Sequence, residues 1–247
     1  MVYMQSIDRV MRIINVMIST DPNKYYSLTE LSEACDLPLS SLHRILKAME
    51  KQGMIRQDLE RKLYTIGTLW LEYGLKIYDT LDYVSVLRPE LEQLMRRVNA
   101  SVYLSKPVGE ESMVIERIDC ITQTIRTYDR LGQRSPIYEG IANLTMLAHM
   151  EGRQREKATS YIEENDVDVH QQLLEIKEQG YGIGEDHWSK GITTIAAPVI
   201  SHYKEVVGAI SVKLMTETDL TKKELTQISK EVLDTSNKVS WKMGSYS

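Results

Sequence analysis

Apolar residues recur at three- and four-residue spacing near the start of the chain, and this spacing predicts amphipathic helices. The second of these helices begins with Ser27-Leu-Thr-Glu30, a capping-box pattern in which each side chain accepts a backbone N–H, and it should end near Cys35. Ser6 is the candidate cap of the first helix. The inward stripe of that first helix should consist of Ile7, Val10, Met11, Ile14, Met17 and Ile18, with its end at Asp21, Pro22 and Asn23.

A third helix is predicted after a turn at Asp36, Leu37 and Pro38, with Ser40 or Ser41 as its cap. Gly53 is a natural stop, because glycine readily adopts the positive φ that ends many helices. Alternating runs at 54–57 and 62–66, joined by the polar segment 58–61, then predict a hairpin. Three helices and a hairpin in this order indicate a winged helix-turn-helix. In the third helix, Leu42, Ile45, Leu46 and Met49 should face inward, and Ser41, His43, Arg44 and Lys47 outward.

A change of pattern marks the end of this first domain. Residues 68–83 have the spacing of an apolar helix, although Gly74 interrupts it, and this helix is the candidate linker and dimer contact. Arg88-Pro-Glu90 can start another helix, since proline is tolerated in a first turn. We therefore predict a DNA-binding domain at 1–67, a linker helix at 68–85 and a second domain at 86–247.

The second domain alternates predicted strands and helices, which is typical of an α+β fold with a mixed or antiparallel sheet. The runs 192–200 and 206–214 flank a turn at 201–204 and should pair antiparallel. The glycines in 180–184 should form a turn after a helix. A last helix should begin at Thr221, where Glu224 completes a second capping box. The other predicted strands are 102–105, 113–118 and 124–128, and the other helices are near 141–150 and 169–179.

Charge is distributed unevenly along the chain. The whole chain has 247 residues, 42% of them hydrophobic, and a net charge of −5. Residues 38–64 nevertheless contain six basic and three acidic side chains. A short basic segment in an acidic chain suits a DNA-reading module, because phosphate contact requires cations only at the contact face.

Several classes of protein and site find no support in the sequence. No apolar run reaches the roughly 20 residues that cross a bilayer, and Met1 leads into no signal segment, so we expect a cytoplasmic protein without a membrane partner. The motifs GxSxG, GxxxxGK[ST] and GxGxxG are absent, so no enzyme is expected.

Cys35 and Cys120 should be reduced thiols. Glu185, Asp186 and His187 are candidate metal ligands, but His149, His170 and His202 show no ligand-like spacing, and we expect no metal and no cofactor.

Polar residues at the start of the third predicted helix have the chemistry to read DNA. Arg44 can donate two hydrogen bonds to guanine or phosphate, and Ser41 and His43 can touch base edges. Ser40 and Ser41 can also hold the DNA backbone, as can Lys47, and Arg61 and Lys62 at the hairpin tip can contact phosphate or the minor groove. The alternative is that Ser40 merely caps the helix and that the basic residues are solvated.

In its order of motifs the chain resembles the IclR (isocitrate lyase regulator) family. The resembling segments are Leu28-Thr-Glu-Leu31, Leu37-Pro-Leu-Ser-Ser-Leu-His-Arg44, Tyr64-Thr-Ile-Gly67, Ile115-Glu-Arg-Ile118, Leu131-Gly-Gln-Arg-Ser-Pro136, Gly180-Tyr-Gly182 and Gly191-Ile-Thr-Thr-Ile-Ala-Ala-Pro-Val199. The resemblance implies a winged helix-turn-helix, a linker helix used in dimerisation and a GAF-like effector-binding domain for a small metabolite.

The resemblance also implies an effector pocket formed by Ile141, Ala142, Asn143, Glu185, Thr194, Ser211 and Lys213. Asn143 replaces a usual glycine and Thr194 a frequent cysteine, so this pocket should be smaller and more polar than is typical. Lys213 occupies a position where small hydroxyl residues are common. It can pair with a carboxylate ligand, or it can be an ordinary exposed strand lysine.

We expect a homodimer or a tetramer that binds a double-stranded DNA operator, acts as a repressor, and responds to a small organic or sugar acid. Two other hypotheses stay open. One is a GAF-like ligand sensor that acts through protein association without DNA binding, and the other is an enzyme whose motif is not recognisable. A steep salt dependence of DNA affinity would favour the regulator over both.

Overall fold

The chain divides into two units, Met1–Leu81 and Asp82–Ser247. The computed structural model describes residues 5–19, 23–80, 82–120, 129–159, 162, 167–185, 191–215 and 221–244. The strand predicted at 124–128 lies outside this described part, as do Asp21 and Pro22. No helix in the described ranges is long and apolar enough to cross a membrane.

The first unit begins with α1 (Gln5–Ser19), which uses a narrower apolar face than predicted. Ile14 and Met17 are buried as expected, together with Ile13. The prediction that Ile7, Met11 and Ile18 face inward is wrong, because these side chains are exposed. Ser6 lies within the helix and does not cap it. Spacing alone could not distinguish the two apolar stripes of α1, of which only one packs against its own domain.

The next two helices, α2 (Leu28–Cys35) and α3 (Leu39–Lys51), complete the helix-turn-helix. The capping box of α2 is confirmed, since Ser27 Oγ accepts the Glu30 N–H at 3.2 Å and the Glu30 carboxylate accepts the Ser27 N–H at 2.7 Å. The prediction that Ser40 or Ser41 caps α3 is wrong. The helix starts earlier, after Pro38, whose carbonyl accepts the Leu42 N–H at 2.9 Å.

The predicted hairpin is present as β1 (Ile55–Asp58) and β2 (Leu63–Ile66), which pair antiparallel. Gly53, with φ +72, separates α3 from this wing as expected. At the tip, Asp58 Oδ1 accepts the N–H groups of Glu60 and Arg61, each at 3.0 Å, and this fixes the turn. The winged helix-turn-helix is therefore confirmed.

The predicted linker helix consists of two separate helices. The first, α4 (Leu69–Asp79), belongs to the first unit, and Trp70 Nε1 anchors it to the wing by donating to Met54 O at 2.8 Å. The second, α5 (Asp82–Val98), belongs to the second unit and contains Pro89, which was wrongly predicted to begin a helix. An interior proline costs about 3 kcal/mol. Complete burial of Leu87, Leu91 and Leu94 on the same helix contributes about 1.5–3 kcal/mol each and offsets this cost.

The second unit contains an antiparallel sheet, which confirms the predicted α+β class. Its strands are β3 (Val102–Val108), β4 (Glu111–Ile118), β5 (Arg134–Pro136), β6 (Gly182–Glu185), β7 (Ile192–Ile200) and β8 (Val206–Met215), and the helices after α5 are α6 (Ile141–His149), α7 (Gly152–Thr159), α8 (Val167–Gln179) and α9 (Lys222–Gly244). In the described residues the strands are ordered β5-β4-β3-β8-β7-β6, and every neighbouring pair is antiparallel. Of these elements, β5, β6 and α7 were not predicted.

The glycine cluster at 180–184 is only in part the turn that was predicted. Gly180 has φ +79 and ends α8, but the residues from Gly182 onward form the edge strand β6. A Cβ on Gly182 would overlap the Thr145 hydroxyl, and one on Gly184 would approach Ile141 Cδ1 to 2.8 Å. The glycines therefore let β6 lie directly against α6.

The two faces of the sheet have different chemistry. Ile210, Val212 and Leu214 of β8 point to one face, where they join the apolar core formed with α5 and α9. The alternate residues Ser211 and Lys213 must point to the other face, which packs against α6. The last helix begins with the predicted capping box of Thr221 and Glu224.

A buried carboxylate joins the two helices on the apolar face. Glu90 on α5 is 4% exposed, and the ammonium groups of Lys238 and Lys242 on α9 each lie 2.7 Å from one of its oxygens. Burial raises the pKa of Glu90, but the hydrogen bonds and charges of the two lysines outweigh burial and hold the pKa below its ordinary value.

We predict that Glu90→Gln lowers the free energy of unfolding by about 1–3 kcal/mol at neutral pH, because charge-assisted hydrogen bonds are lost. Since the folded pKa of Glu90 is lowered, this stabilisation is complete above the unfolded pKa of about 4.3. It disappears as the pH falls through the folded value. Urea unfolding at several pH values measures the difference between wild type and variant.

The control is Glu92→Gln on the same helix, since Glu92 is 39% exposed and its ion pair with Arg88 is 3.4 Å long. This substitution should cost less than about 1 kcal/mol. Equal losses in the two variants would contradict the role given to Glu90.

Candidate DNA interface and candidate effector cavity

Helix α3 separates apolar from polar side chains. Leu42, Leu46 and Met49 are buried in the core of the first unit, and Ile45 is half-buried against it. The opposite face presents the residues that were expected to read DNA: Ser40, His43, Arg44 and Lys47 are exposed, and Ser41 is half-buried. This arrangement leaves polar and basic groups available along one side of the helix, as entry into a major groove requires.

Lys47 makes two side-chain contacts that the sequence did not indicate. Its Nζ lies 2.9 Å from Glu50 Oε2 and donates to Gln57 Oε1 at 3.3 Å. These contacts connect α3 to the wing. The hydrogen bond to Glu50 raises the pKa of Lys47, so the ammonium form is favoured.

The wing presents further cations. Arg61 and Lys62 are exposed beside the turn that Asp58 fixes. Arg56 on β1 was counted in the charge of the segment but was not predicted as a site residue. Its guanidinium donates to the Tyr25 hydroxyl at 3.1 Å and lies 6.0 Å from that ring's centre. Arg56 is thus an additional candidate for phosphate contact.

A cavity of 370 Å³ lies on the polar face of the sheet, under the segment that joins β5 to α6. Six of the predicted pocket residues line it together. Glu185 is not among the lining residues and lies exposed at the end of β6. The lining residues are Ser105, Ser112, Val114, Asp129, Gln133, Arg134, Ser135, Pro136, Glu139, Gly140, Ile141, Ala142, Asn143, Thr194, Ser211 and Lys213.

Asn143 holds the wall of the cavity in place. Its side-chain nitrogen lies 2.9 Å from Ser135 Oγ, 2.9 Å from Pro136 O and 2.8 Å from Glu139 O. The two carbonyl groups can only accept, so the nitrogen must face them. The asparagine therefore fastens the start of α6 to the preceding loop, a contact that glycine could not make.

Lys213 is the central charge of the cavity. The residue is 8% exposed, so the alternative of an ordinary exposed strand lysine is wrong. Its Nζ lies 2.7 Å from Asp129 Oδ2 and 5.8 Å from the centre of the Tyr103 ring. An ammonium group removed from water needs such an anion, because an unpaired buried charge is strongly destabilising.

Sequence reasoning missed Asp129 and the hydroxyl groups of Ser105, Ser112 and Ser135. A signal for part of this set exists in the alternation along the central strands. On β8, Ser211 and Lys213 alternate with buried aliphatic residues, and on β7 Thr194 precedes Ile195. Asp129 has no such signal, because it lies outside the strands and helices and meets Lys213 only in the folded chain.

Only one of the three candidate metal ligands, Glu185, lies in the described part of the chain. Asp186 and His187 lie outside the described residues. No group of three or more histidine, cysteine, aspartate or glutamate side chains among the described residues could hold a metal ion. His149 Nδ1 lies 2.9 Å from Thr145 O, and burial lowers the pKa of this histidine. Cys35 and Cys120 are buried free thiols, and burial raises the pKa of Cys35.

Comparison with known proteins matches both units. The model of the IclR helix-turn-helix domain matches residues 6–59, and that of the bacterial transcriptional regulator IclR C-terminal region matches residues 75–241. The HTH-type transcriptional regulator KipR of Bacillus subtilis (strain 168) is 29% identical over 230 residues, which are 88% of this chain and 90% of that protein. The transcriptional repressor IclR of Escherichia coli (strain K12) is 24% identical over 219 residues, which are 84% of this chain and 79% of that protein.

A solved structure supports the fold independently. The IclR homologue from Microbacterium hydrocarbonoxydans, crystallised in complex with 4-hydroxybenzoate, superposes with a TM-score of 0.80. It is 18% identical, and the superposition covers 98% of this chain and 100% of that one. The likeness confirms the predicted fold class.

We predict that Asp129→Asn lowers the free energy of unfolding of the ligand-free protein by about 2–4 kcal/mol, because it replaces the carboxylate that lies 2.7 Å from the buried ammonium of Lys213 by a neutral amide. Lys213→Met should cost less, since the remaining Asp129 is 27% exposed to water. Urea unfolding of the full chain measures both changes.

The control is Glu111→Gln, which removes the partner of Arg134 from a pair 2.9 Å long whose two side chains are about half exposed. Its cost should remain below about 1 kcal/mol. An unfolding free energy of Asp129→Asn within about 0.5 kcal/mol of wild type would show that Lys213 does not need this anion.

Proposed function

The chain belongs to the IclR family of bacterial transcription regulators, and on that basis we propose that it is a sequence-specific DNA-binding regulator whose operator affinity changes when a small acid occupies the cavity. The observation that carries this proposal is the division of α3 into a buried apolar face and an exposed polar and basic face.

In the proposed complex, the N-terminal half of α3 enters the major groove. Arg44 contacts guanine or phosphate, and Ser41 and His43 lie at base edges. Ser40 and Lys47 hold the DNA backbone, with Lys47 exchanging Glu50 for a phosphate. Arg61 and Lys62 at the tip of the wing, and Arg56 on β1, contact the flanking phosphates.

We further propose that the protein is at least a homodimer and that α4 contributes to its interface. Helix α4 has no buried residue, although it is rich in large apolar side chains. A second copy could cover these side chains through a two-fold contact. Such a dimer would place two copies of α3 on half-sites about 34 Å apart. The exposed apolar residues of α4 are Leu71, Tyr73, Leu75, Ile77 and Tyr78.

The cavity of the second unit is the proposed effector site. Its volume of 370 Å³ suits a small metabolite, and Lys213 supplies a cation for a carboxylate. The Microbacterium homologue was crystallised with 4-hydroxybenzoate, which is itself a carboxylate. These observations support a small organic or sugar acid bound by Ile141, Ala142, Asn143, Thr194, Ser211 and Lys213.

We propose that the protein represses transcription in the cytoplasm, and its E. coli relative is named a repressor. The effector can change operator affinity only if it binds the DNA-competent and DNA-incompetent states with different free energies. The chemistry proposed for this chain requires no cofactor. A ligand sensor that acts only through protein association would show no steep salt dependence of DNA binding.

We predict that Arg44→Ala weakens operator binding by about 10–100-fold, which corresponds to the loss of one bidentate contact. Binding of the effector should not change. Fluorescence anisotropy with operator DNA at two salt concentrations measures the loss.

The control is Lys51→Ala, which removes an exposed cation from the other end of α3 and should change affinity by less than about threefold. The reciprocal variant, Ser211→Ala with Lys213→Ala, should bind the operator and lose the effector response. Equal losses in Arg44→Ala and Lys51→Ala would contradict the placement of the N-terminal half of α3 in the groove.

We predict that Leu75→Glu converts the dimer to a monomer, because a charged group at the centre of the apolar face of α4 must be desolvated on association. Sedimentation velocity measures the mass. Leu174→Glu on α8 is the matched control, since Leu75 is 58% exposed and Leu174 is 57% exposed. The proposal fails if Leu75→Glu sediments as a dimer, or if both variants dissociate alike.

A further inference from the structure

The proposed effector cavity contains a negative charge that a site for simple anions would not need. Asp129 Oδ2 lies 2.7 Å from Lys213 Nζ, so the cation of the cavity already has an anionic partner. The other basic side chain in the lining, Arg134, lies 2.9 Å from Glu111. A carboxylate that enters this cavity must therefore share or take a cation that another carboxylate holds.

We propose that Asp129 is a specificity-determining residue that selects hydroxy acids, whose hydroxyl group stands next to the carboxylate, and rejects acids that lack this hydroxyl. The inference rests on the proposed effector function of the cavity. Asp129 would act by accepting a hydrogen bond from the ligand's hydroxyl while Lys213 contacts the ligand's carboxylate.

The energetics of the ion pair favour such a ligand over a plain acid. A plain carboxylate at Lys213 places two negative charges beside each other, which disfavours both. If Asp129 moved away instead, the ligand would gain the contact with the ammonium only at the cost of the contact that Asp129 makes in the ligand-free protein. A hydroxy acid brings the same second negative charge, but the hydroxyl on its neighbouring carbon donates a hydrogen bond to the aspartate. This hydrogen bond offsets part of the repulsion, and a plain acid cannot make it.

The rest of the lining supports a hydroxylated ligand. Ser105, Ser112, Thr194 and Ser211 are all buried residues that line the cavity, and each carries a hydroxyl group. Ser112 Oγ and Ser135 Oγ lie 3.2 Å apart and can each be donor or acceptor. A purely apolar chain against these groups would displace water without replacing its hydrogen bonds, which lowers affinity.

The test is isothermal titration of the full-length protein with a matched series of ligands. Caproate, α-hydroxycaproate and norleucine have the same carbon chain and differ in the group next to the carboxylate. Gluconate carries hydroxyls along its chain, and sorbitol carries hydroxyls without the acid. The proteins are wild type, Asp129→Asn, Asp129→Glu and the control Glu92→Gln, which alters the pair with Arg88 on α5, and neither residue of this pair lines the cavity.

We expect wild type to bind α-hydroxycaproate and gluconate at least about 10-fold more tightly than caproate, a ratio that corresponds to one hydrogen bond of about 1.4 kcal/mol. Sorbitol should not bind. In Asp129→Asn the preference should fall below about threefold, mainly because caproate binds better. Asp129→Glu and Glu92→Gln should retain the preference. Since Asp129→Glu keeps the carboxylate, it separates selection from misfolding.

The proposal is overturned if wild type binds caproate as tightly as α-hydroxycaproate, if norleucine binds best, if no acid of the series binds, or if Asp129→Asn keeps the preference. A separate measurement of operator binding distinguishes failure of the Asp129 proposal from failure of the regulator proposal. Loss of ligand selection with intact sequence-specific DNA binding would remove the role of Asp129 alone. Absence of sequence-specific DNA binding would instead remove the regulator proposal.

Discussion

The antiparallel pairing of β7 with β8 determines both the core and the cavity of the second unit. Each strand is covered by helices on both sides, and alternate residues point to opposite faces. Ile195, Ala197, Val199, Ile210, Val212 and Leu214 form the apolar face under α5 and α9. The residues between them are small or polar and face α6, which leaves room for a cavity. A shift of one residue in register would exchange the two faces and remove core and cavity together.

The buried charges on the two faces of this sheet have different kinds of ion-pair partners. On the apolar face, Glu90 has two lysine partners from α9, so its contacts join helices and involve no cavity. On the other face, Lys213 has Asp129 as a partner, and both residues line the cavity. The first arrangement stabilises the fold. In our effector proposal, the second arrangement exchanges one of its contacts for a ligand, so the proposal depends on this pair.

Local sequence rules predicted the elements that are governed by local interactions. The capping boxes at Ser27 and Thr221, the stop at Gly53 and the hairpin with Asp58 at its tip are all present, because each depends on residues within a few positions. The pairing of β7 with β8 was also predictable, since a short turn joins two alternating runs.

The errors occurred where distant residues decide the local structure. Pro89 lies inside α5 because leucines on either side of it are buried against the sheet. The strand β6 has few side chains to give a β pattern and is held by its contact with α6. In the cavity, alternation could indicate Thr194, Ser211 and Lys213. Asp129 was not predictable, because only the fold brings it to Lys213. The sequence also could not show that Glu185 is absent from the lining, because this too depends on the fold.

The family, the exposed face of α3 and the cavity together support our proposal of a regulator in which one unit reads DNA and the other senses a metabolite. The most direct test is the selection of bound fragments from a random DNA pool by the purified full-length protein, at two salt concentrations and with competition by unrelated DNA. Our account predicts enrichment of an inverted repeat that outcompetes unrelated DNA and binds less tightly at the higher salt. Failure to enrich any sequence, with and without candidate hydroxy acids, would contradict the account and favour a sensor that acts through protein association.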